Sequence, residues 1–299
     1  MKKLINGLDE KKIEYRLNEP MKLYTTFKTG GPAELFIIPD GEEELKYVLS
    51  LCNKEAVKTF ILGKGSNLLV SDAGIRDKAV IYIGEKFDYI KKIDECTFEA
   101  GAGSSVAAVC KYALSEALSG LEFAYGIPGS VGGAAFMNAG AYGGEVKDAI
   151  VLCNHIDSEG KKGKFEADAL DFSYRHSVYS DGGYVITSVV FRLKKGEKSD
   201  VEAAMQDFIS RRKDKQPLEY PSAGSVFKRP EGYYAGALIE QSGLKGKRIG
   251  GAMVSEKHAG FIINYDNATT EDVVNLIEHC RKTVKEKFSV DLETEIKFI

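Results

Sequence analysis

GIPGSVGGAAFMNAGAYGGE, residues 126–145, places seven glycines in twenty positions: Gly126, Gly129, Gly132, Gly133, Gly140, Gly143 and Gly144. Ala134, Ala135, Ala139 and Pro128 keep most of the other side chains small. Main chain this bare admits something flat or large at close range, and Ser130, Asn138 and the intervening amides are suited to phosphates or ring heteroatoms. A flexible lid is the plain alternative, because glycine-rich loops are common. Ile127, Val131, Phe136 and Met137 weigh against it, since such apolar anchors suit a fixed, buried loop.

Upstream, DGEEELKYVLSLCNKEA (40–56) sets Leu45, Val48, Leu49 and Cys52 at helical spacing behind the capping candidate Asp40, and the apolar run VKTFIL follows. That strand ends in GKGSNLLVSD (63–72), a turn whose paired glycines let successive N–H groups converge on one point, as a pyrophosphate requires. The pattern is neither GxGxxG nor GxxxxGK[ST], so taken alone it also reads as a plain strand-to-turn junction. AVIYI and CTFEAGAG read as further strands, and SSVAAVCKYALSEAL as a helix with Val106, Cys110, Ala113 and Ala117 on one face.

Downstream, IVLCNHID and YVITSVVFRLKKG flank the turn SEGKKGK and predict an antiparallel sheet. Residues 194–217 form the best linker candidate, a polar break followed by a helix with a basic tail. YYAGALIEQSG predicts a helix, FIINYD a strand, and TTEDVVNLIEHCRKTVKEKF a helix with Val273, Ile277, Cys280 and Val284 aligned. VDLETEIKF alternates as a strand, with Val290, Leu292, Thr294, Ile296 and Phe298 on one face.

The 299 residues, 43% of them hydrophobic, suffice for two or three domains. A net charge of -3, from 41 basic and 44 acidic residues, favours neither nucleic acid nor an acidic membrane as partner. Five dispersed cysteines without a CxxC pair fit a reducing compartment. Four histidines without ligand spacing suggest no metal. With no signal-peptide or membrane-length apolar run, a cytoplasmic location is expected.

The two glycine segments together resemble those of the UDP-N-acetylenolpyruvoylglucosamine reductases, flavoenzymes of bacterial cell-wall synthesis. TFKTGGPA (26–33), DFSYRHS (171–177), PSAGSVFKRP (221–230), YYAGALIEQSGLKGKRIGGAMVS (233–255), HAGFIIN (258–264) and LETEIKFI (292–299) extend the resemblance in order along nearly the whole chain. It implies an α+β protein: a vanillyl-alcohol oxidase/PCMH-type FAD-binding fold in two subdomains, 1–85 and 86–198, with the FAD-binding region at about 30–194. A C-terminal α+β substrate-binding domain, 199–299, would return its last strand to the active site.

The resemblance also implies roles. FAD would lie against Gly63, Lys64, Gly65, Ser66, Asn67 and Leu68, then along Gly126, Pro128, Gly129, Ser130, Gly132, Gly133, Asn138, Gly140 and Ala141. Some relatives of the fold attach flavin through a histidine of the first loop, but GKGSN has neither His nor Cys, so FAD is expected to be noncovalent. NADPH would be the co-substrate and UDP-N-acetylglucosamine enolpyruvate the acceptor, in a monomer or weak oligomer. Ser225 would donate the proton, Arg175 face the substrate carboxylate, and Glu295 polarise or protonate it. Lys228, Arg229, Lys213, Tyr174 and Gln241 would meet the UDP-sugar.

From spacing alone Ser225 is a turn serine, Arg175 a surface ion pair, and Glu293 is no different from Glu295. Tyr233 and Tyr234 suit core packing as well as uracil stacking. The two glycine loops alone would also suit a flavin oxidase of alcohols or hydroxy acids, against which AGSVFKRP and LETEIKFI discriminate. A flavin-free UDP-sugar-binding module is a third reading. One branch of the family inserts a segment after the arginine whose tyrosine closes over substrate. HSVYSDGGY leaves no room for it, so the chain resembles the shorter branch.

Overall fold

Helix Glu42–Lys54 forms where the periodicity predicts it and buries Leu45, Val48, Leu49 and Cys52. Its cap differs from the expectation. The N-cap is Gly41, at φ 97°, without a side-chain bond. Asp40 pairs instead with Lys86 at 3.0 Å, and its N–H donates to Glu44 Oε2 at 2.7 Å. Three consecutive glutamates, Glu42, Glu43 and Glu44, occupy the first turn, where the helix dipole favours negative charge.

The helix feeds strand Lys58–Leu62, which runs parallel to Ile75–Tyr82 with Phe60 opposite Val80. Strands Pro32–Ile38 and Glu14–Pro20 complete this four-stranded sheet on the far side of Ile75–Tyr82. A five-stranded antiparallel sheet follows, in the order Lys162–Glu166, Ile150–Asp157, Tyr184–Arg192, Thr97–Gly101, Ile90–Lys92. Strand Tyr184–Arg192 is buried from Val185 through Phe191 on both faces, which accounts for a run without charge, apolar apart from Thr187 and Ser188. Helix Val106–Ser115 is capped by Ser105, whose Oγ accepts from Ala108 N at 3.1 Å.

The computed structural model describes all 299 residues. Met1–Leu17, Leu35–Lys64 and Asp77–Ser210 cluster as one unit; Asn18–Glu34, Gly65–Arg76 and Arg211–Ile299 as another. Each has its own apolar core. The first is built around Leu35, Ile37, Phe98, Val189 and Phe191, the second around Phe27, Leu69, Val254, Ile262 and Ile277.

In the second unit a four-stranded antiparallel sheet runs Ser222–Ser225, Phe261–Asn264, Ala252–Val254, Arg248–Ile249. Helix Thr270–Phe288 buries Val273, Ile277, Cys280 and Val284, as its spacing predicts. Thr269 and Asp272 form a capping box at its start. The two helical N–H groups of Thr270 and Glu271 donate to the Asp72 carboxylate at 3.0 and 3.1 Å. The aspartate ending GKGSNLLVSD is therefore a helix cap.

Residues 194–217 contain the helix with a basic tail that the sequence predicts, Lys198–Lys215, and the division between the two units falls within it, between Ser210 and Arg211; the polar residues ahead of it are ordered, with Lys194–Lys195 paired to Leu118–Ser119. Two further sequence expectations need correction. Residues 126–145 are not loop throughout, since Val131–Phe136 is helical and Gly140–Ala141 pairs with Gly144–Glu145. The alternation in VDLETEIKF does not make one strand. Only Lys297–Phe298 enters a ladder, parallel to Leu68–Leu69, and Phe298 is exposed. The main chain ahead of it bonds residues 226–228 instead, with Lys228 N donating to Glu293 O and Glu295 N to Val226 O, each at 2.8 Å.

Candidate active site

In the first unit the two glycine segments converge. A Cβ on Gly63 would stand 2.4 Å from Ser130 Oγ, so a side chain cannot be added there without displacing the serine. Ser130 is buried and caps helix Val131–Phe136, accepting from Gly133 N at 3.3 Å. Main-chain bonds hold the segment from below: Val106 N to Gly129 O, Val131 N to Ser104 O at 2.8 Å, and Gly132 N to Ala102 O at 2.9 Å. Val131, Ala134 and Ala135 are buried, while Gly126, Gly129, Gly132, Gly140 and Ala141 are partly exposed and Pro128 and Gly133 exposed. The result is a rigid strip of bare, accessible main chain.

In the second unit Gly65 sits at φ 59°, in the left-handed region, and a Cβ there would lie 2.0 Å from Tyr24 O. Its own carbonyl accepts from Thr26 N at 3.2 Å. Ser66, Asn67 and Leu68 are partly exposed; the last begins the pair with the C-terminal strand. Lys64, in the first unit, is exposed.

Arg175 occupies the third position of a tight turn in which Ser173 and His176 exchange both main-chain bonds at 3.2 Å. Its φ of 58° is unusual for a residue with a long side chain and marks a site where the surroundings impose the conformation. Arg175 Nη2 donates to Gly140 O at 3.4 Å, and the guanidinium lies 5.1 Å from the ring centre of Tyr174. Tyr174 is itself exposed. After the turn come one short 3-10 segment, Val178–Asp181, and then strand Tyr184–Arg192, so no inserted segment intervenes.

Asn138 has a different surrounding from the glycines near it. It is fully buried at φ 43°, with both amide hydrogens committed, one to Glu145 Oε2 and one to Ser173 O, each at 3.0 Å. Its Oδ1 accepts from Lys147 N at 3.2 Å. Lys147, Asn138 and Arg175 together hold the Glu145 carboxyl below its ordinary pKa, Lys147 contributing most. Neither Glu145 nor Ser177 stood out in the sequence as part of a site. The only sequence signal for Glu145 is that GAYGGE ends on an acid.

Ser225 closes strand Ser222–Ser225 opposite Phe261, after Gly224 at φ 77°. The next residue, Val226, donates to Gly260 O and accepts from Glu295 N. Asn67 Nδ2 donates to Glu295 O at 3.2 Å, and Lys297 N to Asn67 O at 2.9 Å. Hydrogen bonds thus tie the main chains of the serine strand, the C-terminal segment and the first glycine turn together within the second unit.

The two glutamates that periodicity left equivalent differ in place. Glu295 is partly buried, whereas Glu293 is exposed and paired with Lys228 at 2.5 Å, which lowers its pKa. Arg229 is exposed with its guanidinium 4.1 Å from the Tyr234 ring centre, and Tyr233 and Tyr234 lie on the surface rather than in the core. Lys213, on helix Lys198–Lys215, and Gln241, the last residue of helix Ala235–Gln241, are exposed, and neither makes a contact that draws it toward Ser225.

Residues 33–162 match the family described as FAD binding domain, and residues 216–299 match the C-terminal domain of UDP-N-acetylenolpyruvoylglucosamine reductase. The reductase of Clostridium novyi is 48% identical over 300 residues, spanning 100% of this chain and 95% of its own. That of Listeria welshimeri is 46% identical over 289 residues, 96% of each chain. The crystal structure of UDP-N-acetylenolpyruvylglucosamine reductase from Thermus caldophilus superposes with a TM-score of 0.81 at 36% identity, covering 96% of this chain and 98% of that one.

Proposed function

The chain belongs to the UDP-N-acetylenolpyruvoylglucosamine reductase family, and on that premise we propose that it reduces UDP-N-acetylglucosamine enolpyruvate with NADPH, in the cytoplasm, for peptidoglycan precursor synthesis. It is an FAD-containing oxidoreductase. The balanced reaction takes enolpyruvyl ether, NADPH and one proton to UDP-N-acetylmuramate and NADP⁺. The main chain of the two glycine segments would hold FAD, which when bound would supply hydride-transfer chemistry between NADPH and the enolpyruvyl methylene carbon. The accessible main chain at Gly63, Gly132 and Gly133 fits such a ligand, because no side chain rises from it.

The remaining work falls to side chains. Hydride arrival at the methylene carbon leaves negative charge on the adjacent carbon and its carboxylate, which must be held and then quenched by a proton. Arg175 holds the carboxylate with its planar fork, Glu295 polarises or protonates it, and Ser225 Oγ–H gives the proton to the adjacent carbon. Lys228, Arg229, Lys213, Tyr174 and Gln241 bind the UDP-sugar. The observation that carries this reading is the chain of hydrogen bonds joining Val226, next to Ser225, to Glu295 and through it to Asn67. Ser225 and Glu295 thus lie on hydrogen-bonded neighbouring main chain, which supports reading them as a pair.

Stopped-flow absorbance separates the two halves of the reaction. Ser225→Ala is expected to leave flavin reduction by NADPH nearly intact and to slow reoxidation by the enolpyruvyl nucleotide by about 10²–10⁴-fold, the usual effect of a lost general acid. Equal losses in both halves would remove Ser225 from this role.

A further inference from the structure

We infer that Asn138 is a positioning residue for Arg175, acting through the turn that carries the arginine and not by touching flavin. The inference rests on the reading of Arg175 as the group that holds the substrate carboxylate. A guanidinium fork selects a carboxylate only if its plane is fixed, and the turn 173–176 has two bonds of its own to fix it. Those two bonds define the shape of the turn but not where it sits.

Its seat is set by the second glycine segment. The Ser173 carbonyl accepts twice, from His176 N within the turn and from Asn138 Nδ2 outside it. Asn138 is 0% exposed, so the donor end of this bond is fixed within the protein while Ser173 lies at the surface. A second strut stands beyond the turn, where buried Ser177 donates from Oγ to Phe136 O at 2.8 Å. Arg175 itself reaches Gly140 O. Residues 136, 138 and 140 therefore hold the turn at 177, 173 and 175 respectively.

The asparagine is suited to this task by its chemistry. It lies at φ 43°, where Asn is among the few residues with a side chain that settle readily. Its two amide hydrogens point one bond at the Glu145 carboxylate and the other at the turn. Glu145 in turn is pinned by Lys147 at 2.7 Å and by Asp148, whose carboxylate accepts from Glu145 N. Both donors of the amide are consumed inside the protein, which leaves none for a ligand. An aspartate at this position would face the Ser173 carbonyl and Glu145 with acceptors only.

The test uses the FAD-loaded enzyme. Asn138→Gly removes the side chain while keeping a residue that tolerates this φ. Reoxidation by the enolpyruvyl nucleotide is expected to slow by about 10–100-fold, the scale of a small misplacement of a binding group, with flavin content unchanged and reduction by NADPH within about twofold. Hydrogen exchange at His176 N–H should quicken, which reports the turn independently of turnover. Arg175→Met should slow reoxidation as well, and adding Asn138→Gly to it should slow it no further, because the two changes remove one interaction.

Normal reoxidation in Asn138→Gly, or additive losses in the double variant, would overturn the positioning role. Unchanged reoxidation in Arg175→Met would instead overturn the reading of the arginine on which it rests. Should Asn138→Gly fail to fold, Ser177→Ala tests the second strut: a loss in reoxidation absorbed by Arg175→Met supports the bracket, and an additive or absent loss refutes it.

Discussion

The two glycine-rich segments solve one problem by opposite means. In 63–67 the glycines are demanded by what surrounds them: Gly65 turns under the Tyr24 carbonyl, and Gly63 faces Ser130. The segment has almost no internal structure. Residues 126–145 fold into a helix and a small hairpin, and their few polar side chains, Ser130, Asn138 and Glu145, are spent on holding that shape. Bare backbone in the first place reflects close neighbours; in the second it is a surface exposed by an internally tied scaffold.

The contrast breaks most sharply at Gly65. Gly65→Ala forces a side chain into the left-handed region and against a carbonyl, and is expected to destabilise the protein by at least about 2 kcal/mol with loss of visible flavin absorbance on purification. Thermal unfolding and the flavin spectrum check it, and a fully loaded variant of wild-type melting temperature would refute the account of the turn. Gly63→Ala is expected to cost about 1–2 kcal/mol, and the loss should shrink when Ser130→Gly is added, because the obstructing Oγ is gone. Strictly additive losses would mean that the two segments do not meet as described.

Ser130→Ala alone removes the cap of helix Val131–Phe136 and should cost about 1 kcal/mol, read as a shift in denaturant midpoint at constant slope. The smallest effect concerns acid. Lys147, Asn138 and Arg175 lower the Glu145 pKa in the folded state, so its contribution is complete above the unfolded carboxyl value and is lost as pH falls through the folded one. Protection from hydrogen exchange, relative to the intrinsic rate at each pH, should therefore fall in residues 138–147 in acid, while that of 63–67, which contains no carboxylate, should not respond. Glu145→Gln should abolish the difference, and equal responses in both segments would dissolve the contrast.

Much of this was legible because short-range chemistry left marks. Helices Glu42–Lys54 and Thr270–Phe288 followed from apolar spacing, and the antiparallel pair Ile150–Asp157 and Tyr184–Arg192 from β-branched runs around a turn. The proposed site residues rest on motif likeness more than on physics, since a turn serine and a surface arginine look ordinary in isolation. Asp40 misled because a carboxylate before a helix is a good cap only if no nearer partner exists, and Gly41 and Lys86 changed that. The tail misled because its alternation was real but its main chain bonded elsewhere.

The sequence alone determined which segments are bare, which are amphipathic, and which family the motifs resemble, because these depend on residues near one another in the chain. Only the tertiary structure decided that 18–34 and 65–76 fold with the C-terminal third, that Glu295 is sheltered while Glu293 pairs with Lys228, and that Asn138 reaches the arginine turn. Each of these rests on a contact between residues far apart in sequence, and local periodicity contains no record of which distant carbonyl a buried amide will find.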